Sequence, residues 1–181
     1  MIEVSIKAPP NRDKRRPAEA ARRFTFMPAT LRVQSTVLLR HQMHGWTHYD
    51  WLLVDPTALR DAARPLWTAR TSLPSGVWPK LGSWLLAPAR PHRRVYLTYQ
   101  GPVPAPGSAE TPHADAPGLL PPAPSAGRGV VTRVDAGRFL PLVWTPSRIV
   151  IELELRRAGG VVELRRISAA CWRARWLSLG D

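Results

Sequence analysis

The stretch Thr36–Val54, TVLLRHQMHGWTHYDWLLV, decides how the rest of the chain is read. An apolar run (Val37, Leu38, Leu39) ends in Arg40 and His41. A short turn follows, and a second run returns through His48, Tyr49, Asp50, Trp51, Leu52 and Leu53. That pattern predicts a β-hairpin. The chain has only five histidines, and His41, His44 and His48 all lie here. Residues two apart in a strand share a face, so His48 and Asp50 project side by side. His41, at the end of the preceding strand, faces them across the hairpin. Two imidazoles and a carboxylate suit Mn, Zn or Fe and leave positions for water or a phosphate oxygen. The competing reading is a solvated, His-rich loop.

Working outward, short strand patterns continue. Leu66–Ala69, Ser83–Ala87 and Arg94–Gln100 read as strands, the last from the alternation of Val95, Leu97 and Tyr99 with Tyr96 and Thr98. Gly129–Val134 is another, closed by Asp135-Ala136-Gly137. Ile149–Leu155, IVIELEL, is the clearest strand pattern, with its aliphatic residues on one face and Glu152 and Glu154 on the other. Gly159-Gly160 is read as its turn into Val161–Arg166, and Cys171–Leu177 alternates Trp172, Ala174 and Trp176 with Arg173 and Arg175. Thr57–Arg64 is expected to form a short helix with Asp55 or Thr57 near its cap, and Ser72–Gly82 a loop. Many short strands without a βαβ rhythm predict a mostly β protein: a small closed antiparallel barrel with one short helix and long loops. Eight tryptophans supply core mass for it.

Two segments fall outside this pattern. Residues 1–29 carry Arg12, Lys14, Arg15, Arg16, Arg22 and Arg23 among prolines and alanines, and read as a disordered basic arm, with Met27 an alternative start. Residues 30–181 form the barrel domain, interrupted by a Pro/Ala/Gly/Ser tract at 102–126 that reads as a mobile insertion holding a solvated His113. A length of 181 residues and 44% hydrophobic content allow one domain with a real core. The single cysteine, Cys171, excludes an internal disulfide framework and a Cys-based zinc finger. No membrane-length apolar run and no signal pattern are present, so a cytoplasmic protein is expected. A net charge of +13 points to a polyanionic partner, nucleic acid before membrane, although an Arg-rich composition with lysine only at 7, 14 and 80 also arises from nucleotide bias.

Laid out in order, these motifs resemble the 3'-phosphoesterase domain of bacterial DNA ligase D, also found as stand-alone proteins. They are His41 with His48-Tyr49-Asp50, His92 with Tyr96 and Gln100-Gly101, and Gly127-Arg128-Gly129-Val130 with Asp135 and Gly137. The similarity spans about residues 31–177 apart from the Pro-rich tract. It implies a metal-dependent enzyme, with Mn²⁺ or another divalent metal on His41, His48 and Asp50, and His92 and Tyr96 in catalysis. Its substrate would be DNA 3' ends, from which it removes a terminal ribonucleotide or a 3'-phosphate, with a ligase or other end-joining proteins as partners. His44 rivals His41 because the spacer to His48 is one residue longer than in the family. Leu52 and Trp84 stand where the family has arginines, and Arg70 is the substitute for a family lysine that contacts substrate. Read from the residues alone, Gly127 and Gly129 serve a tight turn, as do Asp135 and Gly137. The alternatives are a non-catalytic nucleic-acid-binding barrel and a small-molecule metal barrel.

Overall fold

The computed structural model describes residues 32–103 and 128–177. The strands are β1 (Gln34–Met43), β2 (Trp46–Val54), β3 (Leu66–Thr71), β4 (Ser83–Pro88), β5 (Gly101–Pro102), β6 (Val130–Trp144), β7 (Arg148–Leu155), β8 (Gly159–Ser168) and β9 (Cys171–Leu177). They pair in the order β1-β2-β3-β4-β9-β8-β7-β6, and β1 pairs again with β6. The result is a closed eight-stranded antiparallel barrel, to which the two-residue β5 adds a short pairing on β6. Closure leaves no open sheet edge among those eight strands, which is what a set of short alternating strands needs. The basic arm at 1–29, nearly all of the tract at 102–126 with its His113, and Gly127 lie outside the described residues. Among the described residues no helix is long and apolar enough to cross a membrane.

Alternation along the strands sorts the side chains into two cores. Leu38, Trp51, Leu53, Ala69, Trp84, Leu86, Phe139, Ile149, Ile151, Leu153, Leu164, Trp172 and Ala174 fill the barrel interior. Trp78 stacks on Trp84 at 5.0 Å between ring centroids and packs against Trp51 at 4.7 Å. Trp51 Nε1 donates to Thr36 Oγ1 (3.0 Å), and that hydroxyl donates in turn to Leu52 O (2.9 Å), so a buried indole N–H is satisfied. The opposite parity on the same strands, Val37, Leu39, Leu52, Val54 and Leu66, forms a second core on the outside of the wall. Tyr96 and Leu97 cover it.

Four local expectations are corrected. Residues 57–64 make isolated turns, not a helix. Asp55 Oδ1 accepts from Thr57 N and Oγ1, and Asp55 N bonds to Pro65 O, so the loop closes on itself before a second helical turn can add. Among the described residues the one short α-helix, α1 (Trp78–Leu81), lies instead in the stretch read as loop, with Pro79 in its first turn where no proline N–H is required. Arg94–Leu97 is a 3₁₀ turn, not a strand. Its alternating apolar residues serve two clusters at once, Tyr96 and Leu97 on the outer core and Val95 with Tyr96 on Tyr99, Val103 and Val131.

The third correction is that β6 runs straight through Asp135–Gly137 with a register shift opposite Leu38 and Leu39. Asp135 is fully buried and accepts from Ser75 Oγ (2.5 Å), Ala136 N and Arg156 N. A bulge, not a turn, therefore absorbs its polarity. Gly137 is required there, since a Cβ would sit 1.9 Å from Glu154 O on β7. The fourth concerns the β7–β8 reversal, which falls at Arg156-Arg157, closed by Leu155 N→Ala158 O at 2.8 Å, with both glycines already in the strand.

Candidate metal centre

The hairpin turn is His44-Gly45, with φ of 39° and 79°. Two positive-φ residues make the tight reversal whose twist matches the flanking strands. That turn sets the register: His41 opposes His48, Leu39 opposes Asp50, and on the other side Asp50 opposes Arg70 of β3. His44 is therefore exposed at the tip, away from the group the hairpin assembles.

That group is His41, His48 and Asp50, whose donor atoms all lie within 4.8 Å of one another. The His41 and His48 rings meet edge-on at 4.9 Å. All three residues belong to the face of the outer core, so the centre sits on the barrel wall and not in its lumen. Asp50 is buried, 4% exposed, and its two oxygens are used differently. Arg70 Nε donates to Oδ1 at 3.2 Å, while Oδ2 lies 3.4 Å from His48 Nε2.

The fit to a cation rests on that last pair. His48 Nε2 is buried and has no hydrogen-bond partner, although a carboxylate oxygen is 3.4 Å away. A spacing of about 3.4 Å is what two donors each about 2.1 Å from one ion adopt at a tetrahedral angle. Burial pushes His48 below the ordinary imidazole range, against the pull of Asp50 and with help from Arg70 and His41. A neutral ring is the form that binds metal. His41 Nε2 donates to Arg128 O at 2.6 Å, because a carbonyl only accepts. This fixes the tautomer with the lone pair on Nδ1, the outer-shell arrangement common for ligating histidines.

His92 and Tyr96 come from the segment that covers the outer core. His92 N and O bridge Leu66 on β3 (3.0 and 3.2 Å), which lays the segment beside the metal group. His92 Nδ1 donates to Arg90 O (2.9 Å) and approaches Thr68 Oγ1 (3.0 Å), so the lone pair is on Nε2. Burial lowers its pKa, opposed by Asp50 and reinforced by Arg64 and Arg70. Tyr96 abuts the His92 ring edge-on at 5.1 Å. Neither belongs to the three-donor group; they flank it. Gly129 crosses β1 so closely that a Cβ would lie 2.0 Å from Gln42 O, with φ of 75°, and this passage is what presents the Arg128 carbonyl to His41.

Leu52 and Trp84 have structural roles. Leu52 is fully buried in the outer core next to Asp50, and Trp84 points into the barrel. One residue was passed over in the sequence: Trp46, on the His48 face of β2 and 72% exposed. An exposed indole in strand parity with His48 was the available signal. Fold and site together define a closed β-barrel bearing a candidate metal centre on its outer wall. No protein-family model matches the chain, and no curated protein matches it as a relative.

Proposed function

We propose that the protein is a divalent-metal-dependent phosphoesterase acting on DNA 3' ends, in the manner of the DNA ligase D 3'-phosphoesterase domains it resembles. The observation that carries this reading is the unpartnered His48 Nε2 facing Asp50 Oδ2, with His41 opposite and His92 alongside. A cation such as Mn²⁺ held by His41, His48 and Asp50 would neutralise phosphoryl charge and lower the pKa of a bound water. The chain's own residues supply the rest. Arg70 fixes Asp50 through Oδ1 and keeps a half-exposed guanidinium available to a phosphate oxygen. His92, with Nδ1–H tied to Arg90 O, holds Nε2 free to accept or deliver a proton at the scissile ester. Tyr96 braces that ring, and Trp46 offers an exposed face on which a terminal base can stack. The charge of +13 favours a polyanionic substrate.

Turnover should be slow. With Leu52 buried and Trp84 interior, the two positions where the family has arginines supply no phosphate contact. One lost charge-assisted contact costs about 1.5–3 kcal/mol, roughly a ten- to hundredfold loss in rate. Leu52→Arg would not restore it, because the side chain would be driven into packed apolar surroundings. The test is release of nucleotide or phosphate from a labelled primer–template ending in a ribonucleotide or a 3'-phosphate, with Mn²⁺. The wild type should act and Asp50→Ala should not. The apolar Leu52 favours a second reading, a non-catalytic nucleic-acid-binding barrel; retained DNA binding without any release would establish it.

A further inference from the structure

The inner face of the same hairpin carries a different chemistry. Arg40 and Tyr49 are cross-strand partners one step from the Leu39–Asp50 and His41–His48 pairs, but their parity turns them to the barrel interior, where Tyr49 packs against the main core. They line a cavity of about 360 Å³ at the barrel mouth, together with Ser75, Arg133, Arg156 and Arg157. Four arginines thus line it beside one acid, although Arg133 pairs with Leu39 and turns its guanidinium to the outer cover. That acid, Asp135, is already engaged by Ser75 Oγ and the amides of Ala136 and Arg156, with Arg156 Nε at 3.8 Å. Arg133 donates to Leu97 O and Arg156 to Val134 O. Arg40 Nε is buried and makes no hydrogen bond at all. An unpaired guanidinium N–H held away from water is costly and calls for a missing acceptor.

We infer that this cavity binds a phosphate group carried on a phosphomonoester. The guanidinium fork matches phosphate oxygens in pairs, and a dianion offsets the excess of arginine over carboxylate. The space exceeds that of phosphate alone and admits the sugar or ring attached to it, with Tyr49 as a wall. Two sources share this chemistry: a free nucleoside monophosphate, and the terminal phosphate of a nucleic-acid strand. The inference stands apart from the outer metal centre, since the two sites lie on opposite faces of one strand pair.

The experiment is calorimetric titration, without metal, of inorganic phosphate, a nucleoside 5'-monophosphate, and oligonucleotides with 5'-phosphate or 5'-hydroxyl ends. Wild type and Asp50→Ala should bind phosphate and the mononucleotide alike. Arg40→Gln should weaken both by about tenfold or more, and Arg157→Gln by a smaller factor. Should Arg40→Gln fail to fold, Arg157→Gln carries the test. Preference for the 5'-phosphorylated oligonucleotide identifies a strand end, and equal oligonucleotide binding beside tighter mononucleotide binding identifies a free nucleotide. No phosphate binding up to tens of millimolar would overturn the inference. So would binding lost in Asp50→Ala but kept in both arginine variants.

Discussion

The two faces of the β1–β2 hairpin share a backbone and differ in almost everything else. Trp51, Leu53 and Leu38 point into a closed barrel whose other walls bury them completely. Leu52, Leu39 and Val37 point outward, where a single irregular segment, residues 92–103, lies over them. Away from the cavity at Arg40 and Tyr49, the packed middle of the interior has no room for a group that must exchange with solvent. A face with a partial cover can bury Asp50 to 4% exposure while leaving His41 and His48 reachable. The lesson is that the candidate centre exists because the outer core is incomplete: apolar residues hold the strand ends rigid, and the cover stops short of the hairpin tip.

The comparison can be broken most severely on the inner side. Trp51→Ala should destabilise the protein by about 3–5 kcal/mol, enough to unfold much of a marginal domain, as read by urea denaturation. A loss below about 1 kcal/mol would mean the interior is loosely packed. Thr36→Val is the next probe. It leaves the Trp51 indole N–H without its acceptor and should cost about 1–3 kcal/mol in the same assay.

A charged cluster of three residues on the barrel exterior gives a pH-dependent test. Burial alone would raise the pKa of Glu163, but hydrogen bonds from Arg148 and Arg165 (2.8 and 3.0 Å) outweigh it and hold the carboxylate below 4.5. The unfolded chain then takes up the proton first. Stability from this group is complete above pH 4.5 and is lost as pH falls through the lower folded value. Both arginines are about half exposed or more, so its size is about 1 kcal/mol or less. Glu163→Gln should remove that share of the acid sensitivity of the thermal midpoint. Unchanged acid sensitivity would show that the cluster contributes nothing. The smallest effect on stability belongs to Trp46→Ala, within about 0.5 kcal/mol. The same substitution should weaken binding of a single-stranded DNA end by about 1–3 kcal/mol if the indole stacks on a base, measured by fluorescence anisotropy.

How far the sequence could be read follows from the same two faces. Period-two alternation located Cys171–Leu177 at its true limits and placed His48 beside Asp50, because a strand leaves side chains no choice of face. It failed where one pattern serves two backbones. Val95, Leu97 and Tyr99 alternate as a strand would, yet the segment coils to feed separate clusters. Pro79 marks the first turn of a helix as readily as it marks a loop. At Asp135-Ala136-Gly137 the turn residues were real signals, but a buried Ser75 hydroxyl from a segment far along the chain converted the turn into a bulge. For His44 against His41, the sequence left the choice open; the positive φ of the His44-Gly45 turn puts His44 at the exposed tip. The Arg128 carbonyl that orients His41 could not be read at all, since it arrives from 87 residues away.

The most direct test of the account is a calorimetric Mn²⁺ titration of the wild type beside His44→Ala, His48→Ala and Asp50→Ala, with folding checked by thermal midpoint. The account predicts a single site in the wild type, unchanged in His44→Ala. Affinity should fall in His48→Ala and Asp50→Ala by more than the roughly 10–100-fold that loss of an outer-shell partner costs. Mn²⁺ binding that survives Asp50→Ala, or that disappears in His44→Ala, would contradict it.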